Sequence, residues 1–402
     1  MAHNKLYYCC HFNNNTERAP CSKIKPQGEE NVLSLFLMIL KGNIYAVFKN
    51  KLKNRILPFL IVSLTGLITI AVFSQLNASA AQKPNGPTNG VVIVQNKSAV
   101  DAYLPKKEAV RTMLERGLLE LTGAKTLNDA IGKFISTNQT VGIKVYSTAG
   151  PFAGTRPAVV EALVSIMIDS GFPTKNIIIW DKNIYDLQNC GYDKIAKQYG
   201  IRIAGAVQSG YDETVFYEKP LIGNLVYGDL EFNKKGEGIG RKSYFSKLIT
   251  KEITKIISVA PLLNNNIAGV SGHLYNVSLG SVDNTSRFES SKERLNEAVP
   301  EIFALPAIYD RAALFITDAL ICQYEGTDRA MLHYSTVLGQ LRLSRDPVAL
   351  DALSLEELQY QRIAGGFKPV KPDLDLLNNA QLLELGAADT KKINVRIINL
   401  NN

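Results

Sequence analysis

The chain has 402 residues, with 45 Lys and Arg against 37 Asp and Glu, for a formal net charge of +8. It is 46% hydrophobic and 20% charged, with 29 Gly and 16 Pro, which excludes the disordered, collagen-like and disulfide-dense classes. Residues 1–80 hold 9 basic and 3 acidic residues, so most of the excess charge sits in the leader, and no nucleic-acid partner is expected.

Residues 1–37 are polar and Asn-rich. Their cysteines, Cys9, Cys10 and Cys21, match no standard metal-ligand spacing. The segment reads as an over-extended or disordered N-terminus. Residues 38–80 read as a signal peptide or signal anchor. Lys41, Lys49, Lys51, Lys53 and Arg55 precede Ile56–Phe73, an apolar run without a charge, and Ala78-Ser79-Ala80 follows. A basic flank, an apolar run and a small-x-small site are the parts of a secretory signal, whose positive side stays inside. Cleavage after Ala80 would leave an exported protein, periplasmic or extracellular. Without cleavage, residues 56–73 would anchor it in the membrane, facing outward.

Residues 81–90, AQKPNGPTNG, form a linker. The remainder, 91–402, alternates apolar β-type runs with amphipathic helical runs. Strands are predicted at Val91–Gln95, Thr140–Val145, Asn176–Trp180, Ile201–Val207, Lys255–Pro261, Ala312–Thr317 and near Leu341–Leu343. Helices are predicted at Lys106–Thr122, Pro157–Ser170, Tyr192–Tyr199, Lys292–Phe303, Pro347–Arg362 and Asn378–Leu385. This alternation predicts an α/β fold with a mainly parallel sheet flanked by helices. Residues 208–250, rich in Tyr, Gly and charge, interrupt the rhythm and read as an insertion or small antiparallel cap. A second lobe would cover about 208–310.

Three loops carry candidate site residues. The first, YSTAGPFAGTRP, follows Val145 and leads into a helix at Pro157. Gly150 and Gly154 permit sharp turns, Thr155 suits the N-cap, and Arg156 would add donors for an anion at the helix start. Ser147 and Lys144 lie beside it. The second starts at Asn264 and contains His273, Asn276, Asp283, Asn284 and Arg287. The third is SRDPVALD, with Asp346 as N-cap before Pro347 and Asp351 one turn on. Each follows a predicted strand, so all three are expected to converge at one sheet edge on a small anionic ligand. Lys144, His273 and Asp346 are the acid–base candidates. No metal site is indicated. Cys190 and Cys322 are too few for an iron–sulfur cluster ligated by four thiolates. Gly236-Glu237-Gly238-Ile239-Gly240 lacks the flanking strand and helix of a dinucleotide fingerprint.

The segments GIKVYSTAGPFAGTRPAVVEAL, IIIWD, CGY, KLITKEITKIISVAPLLNNNIAGVSGHLYNVSLGSVDNTSRF, EIFALPAI, FITDALICQYEG and LSRDPVALDAL resemble the family called domain of unknown function 362. The resemblance spans residues 142–353 in the family's order. It implies no assigned activity, but members are often associated with iron–sulfur proteins, which implies a separate redox partner. The chain departs from the family pattern at three places. It has Asn264-Asn265-Asn266 where Lys-Asp-His is common, His273-Leu274-Tyr275-Asn276 where Ala-Leu-Lys-Asn is common, and Lys144-Val145-Tyr146 where Lys-Val-Asn is usual. Two function classes stand at this point. One is an exported enzyme or redox-associated protein with an anion cleft. The other is a protein without chemistry, either an exported ligand binder or, if residues 56–73 stay uncleaved, a membrane-anchored structural protein of the envelope.

Overall fold

A computed structural model describes residues 90–327 and 329–400. The leader, residues 1–80, and the linker at 81–89 lie outside the described residues. Among the described residues no helix is long and apolar enough to cross a membrane.

The principal sheet has eight main strands. We number the strands β1 Gly90–Gln95, β2 Val141–Val145, β3 Ile177–Asp181, β4 Arg202–Gly205, β5 Tyr211–Glu218, β6 Lys242–Ser246, β7 Lys255–Asn265, β8 Ala312–Gln323, β9 Ser335–Ser344 and β10 Asn394–Asn399. The sheet order is β10-β1-β9-β8-β7-β2-β3-β4, and the short segment Gly269–Val270 folds back on β7. Every main strand runs parallel to the others except β9, which is antiparallel to both β1 and β8. The fold is therefore α/β with a mainly parallel sheet, as the alternation predicts.

The central strands are apolar on both faces because helices cover both. Along β3, Ile177 and Ile179 enter one core while Ile178 and Trp180 enter the other, as the two-residue strand period requires. On the first face lie α1 (Lys107–Thr122), α2 (Pro157–Asp169) and α3 (Tyr192–Tyr199), which contribute Met113, Leu114, Leu163 and Tyr192. On the second lie α4 (His273–Ser281), α5 (Lys292–Phe303), α6 (Pro347–Ala364) and α7 (Asp375–Leu382), which contribute Val277, Val299, Leu355 and Leu377.

The interruption after β4 is a hairpin of β5 and β6. A separate lobe over 208–310 does not form, because β7 lies inside that range and is a central strand of the main sheet. The 344–351 loop needs a second correction. Ser344 pairs with Val91 near the start of β1 and with Phe315 near the start of β8. An antiparallel β9 therefore delivers this loop to the edge opposite the ends of β2 and β7, and the three loops do not converge.

Candidate functional site

Strand order reverses between β2 and β7. From β2 the chain winds outward through β3 and β4, and from β7 it winds the other way to β8. Open α/β sheets bind ligands outside the carboxyl ends of strands at such a point. A cavity of about 610 Å³ opens there. Its height comes from unequal strands. Val145 at the end of β2 pairs with Val259, and residues 260–265 of β7 continue past it to carry Asn265 and Asn266 to the rim.

Lys144 and Asp181 form the floor. The Lys144 side chain is fully buried, and α4 comes close enough that a Cβ on Gly280 would lie 2.3 Å from Lys144 Cε. Its ammonium donates to Asp181 Oδ1 at 2.6 Å, to the Val145 carbonyl at 2.6 Å and to Asn276 Oδ1. The second oxygen of Asp181 accepts from the Ser147 backbone N–H at 2.7 Å and from its hydroxyl at 2.6 Å. The Lys182 N–H donates to Asp181 Oδ1 at 2.7 Å. Burial pushes Lys144 below the ordinary lysine range, against the opposing pull of the Asp181 charge. The ammonium lies 5.3 Å from the ring centre of Trp180, the one tryptophan of the chain.

Asn276 is only 2% exposed. An ammonium can only donate, so the amide oxygen of Asn276 must face Lys144. Its Nδ2 is then left buried with no hydrogen-bond partner among the described residues, and Asn276 is one of the residues that line the cavity. Further out, Lys182 Nζ donates to Thr285 Oγ1 at 2.8 Å, and Thr285 donates to Glu289 Oε2 at 2.9 Å. Asp186 also lines the cavity. Burial, then the nearby Asp181 charge, pushes its carboxyl above the usual range. Tyr146 and Tyr275 meet edge to face at 6.5 Å and add an aromatic side to the wall.

Of the residues singled out from the sequence, Lys144 and Asn276 line the cavity, and Ser147 braces Asp181. The others have internal work. Arg156 is a correction: its guanidinium sits 3.1 Å from Asp318 Oδ2, which also accepts the Arg156 backbone N–H at 2.9 Å. The anion at the start of α2 is thus the protein's own carboxylate. Thr155 is not the N-cap. Its hydroxyl accepts from the Tyr146 N–H and donates to the Val259 carbonyl, tying loop to sheet. Gly154 is needed because a Cβ would meet the Tyr146 carbonyl oxygen at 2.4 Å.

His273 and the two aspartates of the third loop also lie off the cavity. His273 is buried between the hydroxyls of Ser258 and Thr317, and burial holds its imidazole down at about 3. Asp346 caps α6 through the Ala349 N–H and also accepts from Ala387 N–H. Asp351 caps α4 by accepting the His273 and Leu274 N–H groups. Asn264 bonds Asn266 and the Gly326 carbonyl.

Asp283, Asn284 and Arg287 clamp the insertion. Asp283 accepts from the Tyr244 and Leu230 N–H groups. Asn284 donates to the Gly240 and Lys242 carbonyls. Arg287 donates to the carbonyls of Tyr217, Lys219, Leu221 and Arg241. None of these residues lines the cavity.

The residues missed are Asp181, Lys182, Asp186, Tyr275 and Glu289. The available signal was IIIWD. An acid closing a fully apolar strand stands at the sheet edge where ligands bind, by the same rule that drew attention to Lys144. Cys190 and Cys322 are buried free thiols, and among the described residues no group of three or more His, Cys, Asp or Glu is placed to hold a metal ion.

The family model described as "Domain of unknown function (DUF362)" matches residues 141–356, over half of the chain. No curated protein matches. Among solved structures, a crystal structure of a protein from Thermotoga maritima, a structural-genomics target, is similar at 10% identity with a TM-score of 0.36. The match covers 67% of this chain and spans 61% of that protein's length.

Proposed function

The chain belongs to the DUF362 family, and we propose that this member is an exported protein that binds a small ligand through an acidic group in the cavity between β2 and β7. The observation that carries the reading is the Asn276 amide: Asn276 lines the cavity, and its buried N–H donor, with no acceptor among the described residues, is costly unless a ligand or water oxygen completes it. Lys182 lines the same cavity and supplies a positive charge. Export is supported by the basic flank, apolar run and Ala78-Ser79-Ala80 step in the sequence. On this reading the mature chain begins at Ala81, which N-terminal sequencing of envelope-fraction protein tests.

Binding is favoured over catalysis by the state of the acid–base candidates. Lys144 spends all three N–H groups on protein acceptors, and His273 and Asp346 point into internal hydrogen bonds.

The test uses Trp180, whose ring lies beside the floor. Sodium acetate and inorganic phosphate are titrated against its fluorescence. Asn276→Ala and Lys182→Met should each weaken the affinity about tenfold or more, the worth of one hydrogen bond to a charged group. Unchanged affinity in both folded variants overturns the assignment.

A further inference from the structure

We infer that the ligand of this cavity carries a cationic nitrogen as well as its acidic group, the chemistry of a small amino acid. The inference rests on the proposed acidic-group site and deepens it.

The argument is a charge inventory. Five ionisable Lys, Asp and Glu side chains line the cavity: Lys144, Lys182, Asp181, Asp186 and Glu289. Lys144 and Asp181 neutralise each other at 2.6 Å. What remains is one cation, Lys182, and two carboxylates. Glu289 reaches Lys182 through the Thr285 hydroxyl. Asp186 reaches no cation among the described residues. Its polar neighbours are Asn183 and the Thr148 hydroxyl at 3.5 Å, and the charge that acts on it is that of another carboxylate, Asp181.

A simple anion entering this space would satisfy Asn276 and Lys182 while meeting Asp186 as a like charge. A molecule with both groups answers each: its acidic end takes the Asn276 and Lys182 donors, and its nitrogen takes Asp186. A charge-assisted hydrogen bond from an ammonium to a half-buried carboxylate is among the stronger polar contacts available. Tyr146, Tyr275, Ile267 and Leu279, which line the same cavity, offer apolar surface for a hydrocarbon or aromatic middle. A volume of about 610 Å³ is ample for such a molecule.

The experiment compares sodium acetate, ethylamine, glycine, γ-aminobutyrate and phenylalanine by calorimetry and Trp180 fluorescence near neutral pH. The parent chain is set against Asp186→Asn. At least one amino acid should bind the parent about tenfold or more tighter than either acetate or ethylamine. In Asp186→Asn the ratio of amino-acid to acetate affinity should collapse towards one. If the Asn variant does not fold, Asp186→Ser replaces it. Acetate binding as tightly as every amino acid, or a ratio unmoved by the substitution, overturns the inference while leaving the acidic-group site standing. Ethylamine matching the amino acids also overturns it, since the site would then read a cation alone. If neither acetate, phosphate nor any amino acid binds, the acidic-group site falls as well.

Discussion

Lys144→Met removes the cation from the cavity floor and leaves its partners in place. Lys144 and Asp181 are 1% and 4% exposed at the side chain, so solvent does little to soften the loss. Asp181 keeps three donors, the Ser147 N–H, the Ser147 hydroxyl and the Lys182 N–H, but loses its countercharge. Breaking one half of a buried ion pair costs about 3–5 kcal/mol. The three remaining donors argue for the lower part of that range. The Asn276 oxygen, left facing a methyl group, adds part of the roughly 1–3 kcal/mol of an unmade buried hydrogen bond. The expected loss is therefore about 4 kcal/mol, read by urea unfolding followed by circular dichroism. Adding Asp181→Asn removes the stranded charge, so the double variant should lose less than the sum of the two single losses, by about 2 kcal/mol or more. A Lys144→Met loss below about 1 kcal/mol, or single losses that add to within about 0.5 kcal/mol, would refute the reasoning.

Three further outcomes follow from the same structure. Gly280→Ala places a methyl against Lys144 Cε and should cost about 1–3 kcal/mol while shifting Trp180 emission; an unchanged melting temperature and spectrum would contradict the packing. Arg156→Ala strands Asp318 and should cost about 3–5 kcal/mol of stability while leaving acetate affinity as it was, because Arg156 lines a separate hollow of about 170 Å³. A tenfold weaker acetate affinity in that folded variant would return Arg156 to the ligand. His273 is held neutral by burial, which lowers its folded value to about 3 from the ordinary 6.5. Its contribution is complete above the unfolded value and is lost as pH falls towards the folded one, at up to about 1.4 kcal/mol per pH unit. His273→Gln should remove that slope from an unfolding series between about pH 7 and pH 4. Burial raises Asp351 to about 7 and Asp283 to about 6, and these contribute in the opposite sense, so the difference between variant and parent is the readout. A difference that does not change with pH would mean that His273 titrates normally.

Local signals made much of the fold legible. Tyr192–Tyr199 and Lys292–Phe303 are helices over the residues their periodicity marks, and Gly200 closes the first with φ 65°. Asp346 caps its helix as its position before Pro347 suggests. The strands predicted at 140–145, 176–180 and 255–261 are found at 141–145, 177–181 and 255–265, buried on both faces as their apolar composition demands. The periodicity and the cap sit in the same few residues, so reading along the chain finds both.

The rest depends on residues far apart in sequence. Helix α4 has almost every residue buried, so HLYNVSLGS shows no polar face and no helical period. Its N-terminus is capped by Asp351, 78 residues downstream of His273, and no neighbour in sequence announces it. The start of α2 shows a free arginine and a helix N-terminus until Asp318, 162 residues away, occupies both. The direction of β9 is not written in its residues, since a buried run of apolar residues reads the same both ways, and that direction alone moves Asp346 to the far edge of the sheet. The sequence by itself therefore determined those strands and helices that carry their own period or cap, and α4 is not among them. The tertiary structure decided which polar side chains are consumed by other parts of the chain, as Arg156 is by Asp318 and Asp351 by the start of α4, because sheet register sets the distances between charges that sequence separation leaves open.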